Sequence, residues 1–134
     1  MSRVFADTHF YIALLNPRDP SHAKVTAWLR EHTGDDLVTT AWVVLETANA
    51  LCKSHRRTEC AGFLERLGAS EGTTLIPLSD ELQRRGLELY ASRADKEWSL
   101  TDCISFVVMA DEELTDALTG DRHFEQAGFA ALLA

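Results

Sequence analysis

Short apolar runs alternate with longer mixed stretches along the chain. The apolar runs have the length of strands, whereas several mixed stretches carry apolar residues at helical spacing. Asn16 and Pro17 end one predicted helix, and Gly34 ends the next. The predicted strands are residues 4–6, 37–39, 73–77, 117–119 and 129–133. The predicted helices run through residues 12–15, 19–33 with Pro20 in the first turn, 41–52, 58–67, from 79 onward, 102–110 and, as a short turn, 122–126.

Two of the predicted helices have informative apolar patterns. Thr40 can cap the helix at 41–52, whose pattern predicts a buried face formed by Val44, Leu45, Ala48, Leu51 and Cys52. The helix at 102–110 is apolar nearly all round, which predicts a central position. Strands that alternate with helices indicate an α/β sandwich on a mostly parallel sheet.

Four acidic residues lie within or at the ends of these apolar segments. Asp7 ends the first strand, Glu46 lies inside the helix at 41–52, Asp102 opens the apolar helix, and Asp121 follows residues 117–120. Open α/β sheets hold ligands at the carboxyl ends of their strands, so these side chains are predicted to converge there. Converging carboxylates need a cation, and an all-oxygen set is typical of Mg²⁺ or Mn²⁺. A metal-dependent enzyme that cleaves phosphodiester bonds is the leading hypothesis.

Composition supports an ordered protein of ordinary size. The chain has 134 residues, 46% hydrophobic and 25% charged, so we expect one domain spanning residues 1–134. No apolar run reaches the ~20 residues of a membrane span, and the N-terminal residues lack the pattern of a signal peptide, so a cytoplasmic location without membrane contact is expected. The three cysteines lack a CxxC spacing, which argues against a disulfide framework or a zinc site. Cys52 and Cys103 are predicted to be small core residues.

The net charge of −8 argues against a general nucleic-acid binder, which would be basic. It does not exclude a nuclease, because bound metal would screen the acidic cluster and a local basic patch can still contact phosphate. The candidates for such a patch are residues 53–57 (Lys-Ser-His-Arg-Arg), together with Arg18, Lys24 and Arg122. The alternative is that these cations only stabilise the end of a helix.

The motifs around the four acids occur together and in order. They are Phe5-Ala-Asp-Thr8, Trp42-Val-Val-Leu-Glu46, Ser99-Leu-Thr-Asp102 and Leu118-Thr-Gly-Asp-Arg-His-Phe124. With these motifs the sequence resembles the PIN domain family over nearly its whole length, and within that family the VapC-type toxins of bacterial toxin–antitoxin pairs. The resemblance implies a three-layer α/β/α sandwich with a mostly parallel sheet of four to five strands.

The resemblance also implies an endoribonuclease that depends on Mg²⁺ or Mn²⁺ and leaves 5′-phosphate and 3′-hydroxyl ends. Asp7 and Asp102 would be the principal metal ligands, and Glu46 would bind the metal directly or through water. Asp121 would complete a second metal site or orient the attacking water. Thr8 and Thr119 would support these carboxylates. The implied partners are RNA, a small VapB-like antitoxin and a second copy of the chain.

Several alternatives remain open at this point. The chain could be a stand-alone PIN nuclease, or a non-catalytic PIN fold that binds RNA or a partner. A receiver-like signalling domain is less favoured, because the first strand ends in a single acid rather than a pair. Asp111 and Asp116 lie close in sequence to the proposed metal ligands and could be confused with them. His9 and His123 could touch substrate or simply lie on the surface.

Overall fold

A five-stranded parallel sheet forms the centre of the fold in a computed structural model that describes residues 2–134. The strands are β1 (Arg3–Ala6), β2 (Asp36–Thr40), β3 (Thr73–Ile76), β4 (Asp116–Leu118) and β5 (Ala130–Ala131). Their order is β3-β2-β1-β4-β5, and every neighbouring pair is parallel. All five carboxyl ends therefore lie along one edge of the sheet, the edge at which α/β proteins hold their ligands.

Helices flank the sheet between successive strands. They are α1 (Thr8–Leu15), α2 (His22–Glu31), α3 (Ala41–Ala50), α4 (Arg57–Leu67), α5 (Asp80–Ser92), α6 (Leu100–Asp111) and α7 (Arg122–Gln126). Crossovers between parallel strands are almost always right-handed, so this strand order puts α1 to α4 on one face and α5 to α7 on the other. The predicted three-layer α/β/α sandwich is confirmed. Within residues 2–134, no helix is both long and apolar enough to cross a bilayer.

The core is densest around β1 and α6. Val4, Phe5 and Ala6 are buried in the middle strand, which has a neighbour on each side. Helix α6 is buried nearly all round, as its sequence predicts, and the Phe106 ring meets the rings of Trp98 and Phe124 edge-on at 5.0 Å each. A rigid core therefore supports the helix that carries Asp102.

Helices α5 and α6 pack closely at a glycine. A Cβ atom built at Gly86 would overlap the side chain of Ile104, so no larger residue fits there without movement. Helix α6 then ends in a turn at Glu113, whose φ of 57° lies in the left-handed region. The Leu114 amide donates to the Met109 carbonyl at 2.8 Å across this turn, which is typical of a helix C-terminus.

The predicted buried face of α3 is wrong in its orientation. Trp42, Val43 and Thr47 are the buried residues of this helix, whereas Leu45 is 52% exposed. Ala48 and Cys52 are exposed as well, so the core role predicted for Cys52 is also wrong, while Leu51 and Cys103 are buried. The helix is apolar on two sides, and helical spacing alone does not indicate which side meets the protein. The last strand is also shorter than predicted.

Candidate active site

Asp7 lies at the junction of β1 and α1, at the carboxyl edge of the sheet. Its carbonyl oxygen accepts hydrogen bonds from the amides of Phe10 and Tyr11, so its backbone begins α1. Its side chain makes no capping bond, and the carboxylate instead lines an open cleft. The Thr119 hydroxyl donates to Asp7 Oδ2 at 2.9 Å, and only 5% of Asp7 is exposed. The Asp7 carboxylate is therefore buried, and among residues 2–134 its hydrogen-bond donors are the Thr119 hydroxyl and the Thr8 amide.

Asp102 occupies the first turn of α6, where it has a structural role as well. Its amide donates to Ser99 Oγ at 3.0 Å, and the Ser99 amide donates to Asp102 Oδ2 at 3.1 Å. This reciprocal pair is a capping box, which satisfies two amides at the helix start. The same carboxylate lines the cleft. Helix capping and a place in the cleft are thus combined in one side chain.

Glu46 and Asp121 come to the cleft from two other elements. The Thr8 hydroxyl donates to Glu46 Oε1 at 2.5 Å, which ties the middle of α3 to the start of α1. Asp121 caps α7, where its Oδ1 accepts from the His123 amide at 2.9 Å. Its own amide donates to Thr119 Oγ1 at 3.1 Å. The two threonines thus hold the acidic cluster in place, Thr8 through Glu46 and Thr119 through Asp7 and the Asp121 backbone.

A cleft of about 600 Å³ brings all four predicted acids together. Two further acids, Asp19 and Glu97, line it as well. The sequence did not single them out, because Asp19 belongs to an Asp-Pro-Ser helix start and Glu97 to a polar loop, and both patterns are common outside functional sites. Within the described chain no lysine or arginine lines this cleft. Its charge is therefore strongly negative.

The electrostatic cost of this arrangement appears in two carboxyl groups. Burial raises the pKa of Asp7 from 3.8 to about 7, and the nearby carboxylates of Asp102 and Glu46 add to the rise. Hydrogen bonds from the Thr8 amide and the Thr119 hydroxyl oppose it. Burial also raises the pKa of Asp102, with a further contribution from Asp121, against the lowering effect of Ser99 and His123. Both groups are easier to ionise when a cation lies beside them.

His123 lies between two of the acids. Its Nδ1 atom is 3.2 Å from Asp102 Oδ2 and 3.3 Å from Asp121 Oδ1. One potential ligand atom from each of these three residues lies within 4.8 Å of the others, a spacing that could hold a metal ion. His123 therefore lies within the acidic cluster, and its contact with substrate stays a prediction.

His9 connects three segments around the cleft. Its Nδ1 accepts a hydrogen bond from the Gly120 amide at 2.7 Å, and its Nε2 is 3.1 Å from Ser21 Oγ. Because Nδ1 is the acceptor, the ring proton is on Nε2, which donates to the serine. A Cβ atom at Gly120 would come within 2.5 Å of His9 Cε1, so only glycine permits this contact. His9 thereby fixes the backbone immediately before Asp121.

The sequence-family model of the PIN domain matches residues 4–130 of this chain. This chain belongs to the PIN domain family. PIN domains are a family of nucleases. No curated protein is significantly similar to the chain.

Solved PIN-fold toxin structures match the chain over almost its whole length. One is VapC20 of Mycobacterium tuberculosis, described as a toxin that cleaves the sarcin–ricin loop, with 24% identity, a TM-score of 0.85, and 95% of this chain and 96% of that chain covered. FitAcB from Neisseria gonorrhoeae matches with 21% identity, a TM-score of 0.66, and coverage of 98% and 95%. VapBC2 from Rickettsia felis, bound to a promoter DNA fragment, matches with 14% identity, a TM-score of 0.66, and coverage of 98% and 97%. At these identities the likeness establishes a common fold.

Two other acids of this PIN domain, which are close to the site in sequence, lie apart from it. Asp111 ends α6, more than two helical turns from Asp102, and its carboxylate accepts two hydrogen bonds from Arg85 at 2.6 and 2.8 Å. Asp116 begins β4, at the amino edge of the sheet rather than the carboxyl edge. Neither of them lines the cleft.

The donor set of the PIN-domain cleft fits a hard divalent cation. Asp7, Glu46, Asp102 and Asp121 offer carboxylate oxygens from four different elements, and Mg²⁺ and Mn²⁺ prefer such ligands. The buried Asp7 carboxylate lines the cleft and, among residues 2–134, accepts hydrogen bonds from Thr119 and Thr8, which leaves lone pairs of its two oxygens available to a cation. The residues present therefore suit the kind of metal ion on which nucleases depend.

Proposed function

We propose that this PIN domain is an endoribonuclease that depends on Mg²⁺ or Mn²⁺, and that it is the toxin of a VapBC-type toxin–antitoxin pair. The observation that carries the proposal is the convergence of four carboxylates, two of them buried, in a cleft that no lysine or arginine of residues 2–134 lines. Such a cluster is unfavourable in the absence of a cation and suited to phosphodiester hydrolysis in its presence. Membership of a nuclease family supports the same chemistry.

The proposed roles follow from how each side chain is held. Asp7 and Asp102, which are the most buried acids, are the principal metal ligands. Glu46, held by Thr8, is a further ligand, directly or through water. Asp121 completes the cluster or orients the attacking water through the carboxylate oxygen that the His123 amide leaves free. Bound there, Mg²⁺ or Mn²⁺ would lower the pKa of a water molecule and stabilise charge on the attacked phosphate and the leaving oxygen.

The proposed toxin function includes three partners. Structural neighbours carry the names VapBC2 and FitAcB, and we infer a small VapB-like antitoxin for this chain by the same kind of pairing. We further propose that the chain forms a homodimer and acts on RNA in the cytoplasm. The sarcin–ricin loop, named for VapC20, is the first defined RNA to test as substrate.

Cleavage of RNA by the purified protein tests this function. A mixed RNA pool and a sarcin–ricin loop hairpin are incubated with protein and either Mg²⁺, Mn²⁺ or excess EDTA, and the ends of the products are mapped. We expect cleavage with metal and none with EDTA. Asp102→Asn should reduce the rate by at least ~100-fold, because a metal ligand and its charge are lost.

The control is Asp116→Asn, since Asp116 lies at the opposite edge of the same sheet. This variant should cleave as fast as the wild type. Equal cleavage by the wild type and Asp102→Asn would show that the activity comes from a contaminant and would overturn the proposed function.

A further inference from the structure

The cleft contains carboxylates but no lysine or arginine, although an RNA strand brings a negative phosphate at every nucleotide. Cations that hold the strand must therefore lie beside the cleft rather than in it. Six cations of the described chain are already paired with carboxylates, namely Arg3, Arg56, Arg84, Arg85, Arg93 and Lys96. The remaining cations of the described chain are therefore the candidates for contact with phosphate.

A small apolar cluster connects the cleft to the loop between α3 and α4. Leu15 at the end of α1, Leu51 after α3 and Cys60 in α4 are buried together. Ile12, one turn before Leu15 on α1, packs against this cluster and also lines the cleft. The cluster therefore lies about one helical turn from the metal-binding edge.

Three exposed cations flank this cluster. Arg18 follows Leu15 by three residues, Lys53 follows Leu51 by two, and Arg57 precedes Cys60 by three. Three residues of extended chain span at most about 11 Å, so all three cations lie close to the cluster. Arg57 also donates to the Cys52 carbonyl at 3.0 Å, which holds the loop in shape.

The charge of this region differs from that of the rest of the protein. The net charge of the chain is −8, yet residues 52–57 contain three cations and no acid. Among residues 2–134, none of Arg18, Lys53 and Arg57 has an acidic side chain within ion-pair distance. The nearest acids in sequence are Asp19, which lines the cleft, and Glu59, which pairs with Arg56.

We propose that Arg18, Lys53 and Arg57 form a phosphate-binding surface that holds the RNA strand as it leaves the carboxylate cleft. This inference rests on the proposed nuclease function, and it assigns the side of the cleft along which the strand runs. The three cations contact phosphates, so they contribute affinity for any RNA strand and do not read its sequence. Ile12 and the apolar cluster fix the distance between the surface and the cleft.

A binding measurement that is separate from cleavage tests the surface. The Asp102→Asn protein, whose new side chain can still accept the Ser99 amide bond and which lacks the proposed metal ligand, is titrated into a fluorescent single-stranded RNA of mixed sequence. Two double variants are compared in that background, Arg18→Gln with Lys53→Gln and, as the control, Arg30→Gln with Arg66→Gln. The replaced residues of both pairs are exposed and have no carboxylate partner in the described chain, and each double substitution lowers the net charge by two. Arg57 is left in place because of its bond to Cys52.

The control cations suit the comparison because they lie towards the other edge of the sheet. Arg30 is in the last turn of α2, before β2 begins, and Arg66 is in the last turn of α4, before β3 begins. Each phosphate contact with single-stranded RNA contributes ~0.7 to the steepness of the plot of log affinity against log salt concentration. Arg18→Gln with Lys53→Gln removes two such contacts, so its slope should be shallower by ~1.4. Its affinity for RNA should be ~25-fold weaker at ~0.1 M salt. The control pair should leave the slope unchanged.

Equal slopes and affinities for the two double variants would overturn the proposal, and an acidic protein segment would become the ligand to test on this surface. Absence of any RNA binding by the Asp102→Asn protein would overturn it as well. Cleavage by the wild type is measured separately. A flattened slope together with no cleavage would contradict the proposed nuclease function while supporting the phosphate-binding surface.

Discussion

Replacement of Asp7 by asparagine should make the metal-free protein more stable while removing its response to metal. Asp7 is 5% exposed, and burial raises its pKa from 3.8 to about 7. That difference corresponds to about 4 kcal/mol of free energy that opposes ionisation in the folded state. Asparagine has nearly the same shape, carries no charge, and can still accept the Thr119 hydroxyl bond.

The sign of the pH dependence follows from the direction of this shift. Because the folded-state pKa is above the unfolded-state pKa, the contribution of Asp7 to stability is fully present below pH 3.8 and is lost as the pH rises towards about 7. In EDTA, the free energy of unfolding of the wild type should therefore fall by about 2–3 kcal/mol between about pH 5 and pH 8 relative to Asp7→Asn. For a chain of this size, that is a difference in Tm of roughly 10 °C.

Urea denaturation of both proteins at several pH values, in EDTA and in millimolar Mg²⁺ or Mn²⁺, measures this difference. In EDTA at about pH 8 the variant should be the more stable protein by up to ~4 kcal/mol. With metal, only the wild type should gain stability, by ~2.7 kcal/mol when the metal concentration is a hundred times Kd. Asp116→Asn serves as the control and should follow the wild type in both buffers.

Two results would refute this reasoning. If Asp7→Asn is less stable than the wild type in EDTA at about pH 8, the carboxylate does not carry the electrostatic cost that its burial indicates. If both proteins gain the same stability from metal, Asp7 is not a principal ligand. Either result would also require a new assignment of the cluster.

Three further predictions concern residues around the site and the core. His9→Ala should lower kcat for RNA cleavage ~10-fold with little change in KM, because the Gly120 amide loses its hydrogen-bond acceptor. His9→Asn should restore part of the rate, because its side chain supplies an acceptor near the position of Nδ1. Equal rates for the two variants would contradict this role of His9. Gly86→Ala should destabilise the fold by ~1–3 kcal/mol in urea denaturation, since its Cβ would overlap Ile104, and a gain in stability, as helix propensity alone predicts, would contradict the packing. Glu113→Gly should raise the free energy of unfolding by about 0.5–1 kcal/mol because φ is 57° there, and an unchanged or lower value would show that the turn is not strained.

The fold and the edge of the sheet at which the four acids converge could both be predicted from the sequence, because both follow from the order of strands and helices. Alternating strands and helices imply a parallel sheet, and a parallel sheet has all its carboxyl ends on one edge. Asp7 and Asp121 each follow a strand, so their convergence depends on topology more than on detailed packing. Asp102 is fixed by a capping box that can be read from Ser99 three residues earlier.

Other features depend on contacts between segments that are distant in sequence. The orientation of α3 depends on its contacts with other segments, among them the Thr8 hydroxyl that bonds Glu46, and periodicity within the helix contains no information about these contacts. Asp19 and Glu97 reach the cleft from loops, whose paths follow from tertiary packing. The role of His9 depends on a backbone amide at Gly120, 111 residues away. Helix boundaries were close because Thr40, Ser79 and Ser99 cap locally.

The hydrogen bond between Thr119 and Asp7 also sets an order in which the acidic cleft can assemble during synthesis of the chain. It joins residues 112 positions apart, and β1 obtains one of its two neighbours, β4, only after most of the chain has been synthesised. While residues 116–121 are still inside the ribosome, Asp7 is present without its supporting threonine and without Asp121. The cleft with four carboxylates is therefore incomplete until β4 and Asp121 have emerged, so the proposed ribonuclease site cannot form from the residues before β4 alone.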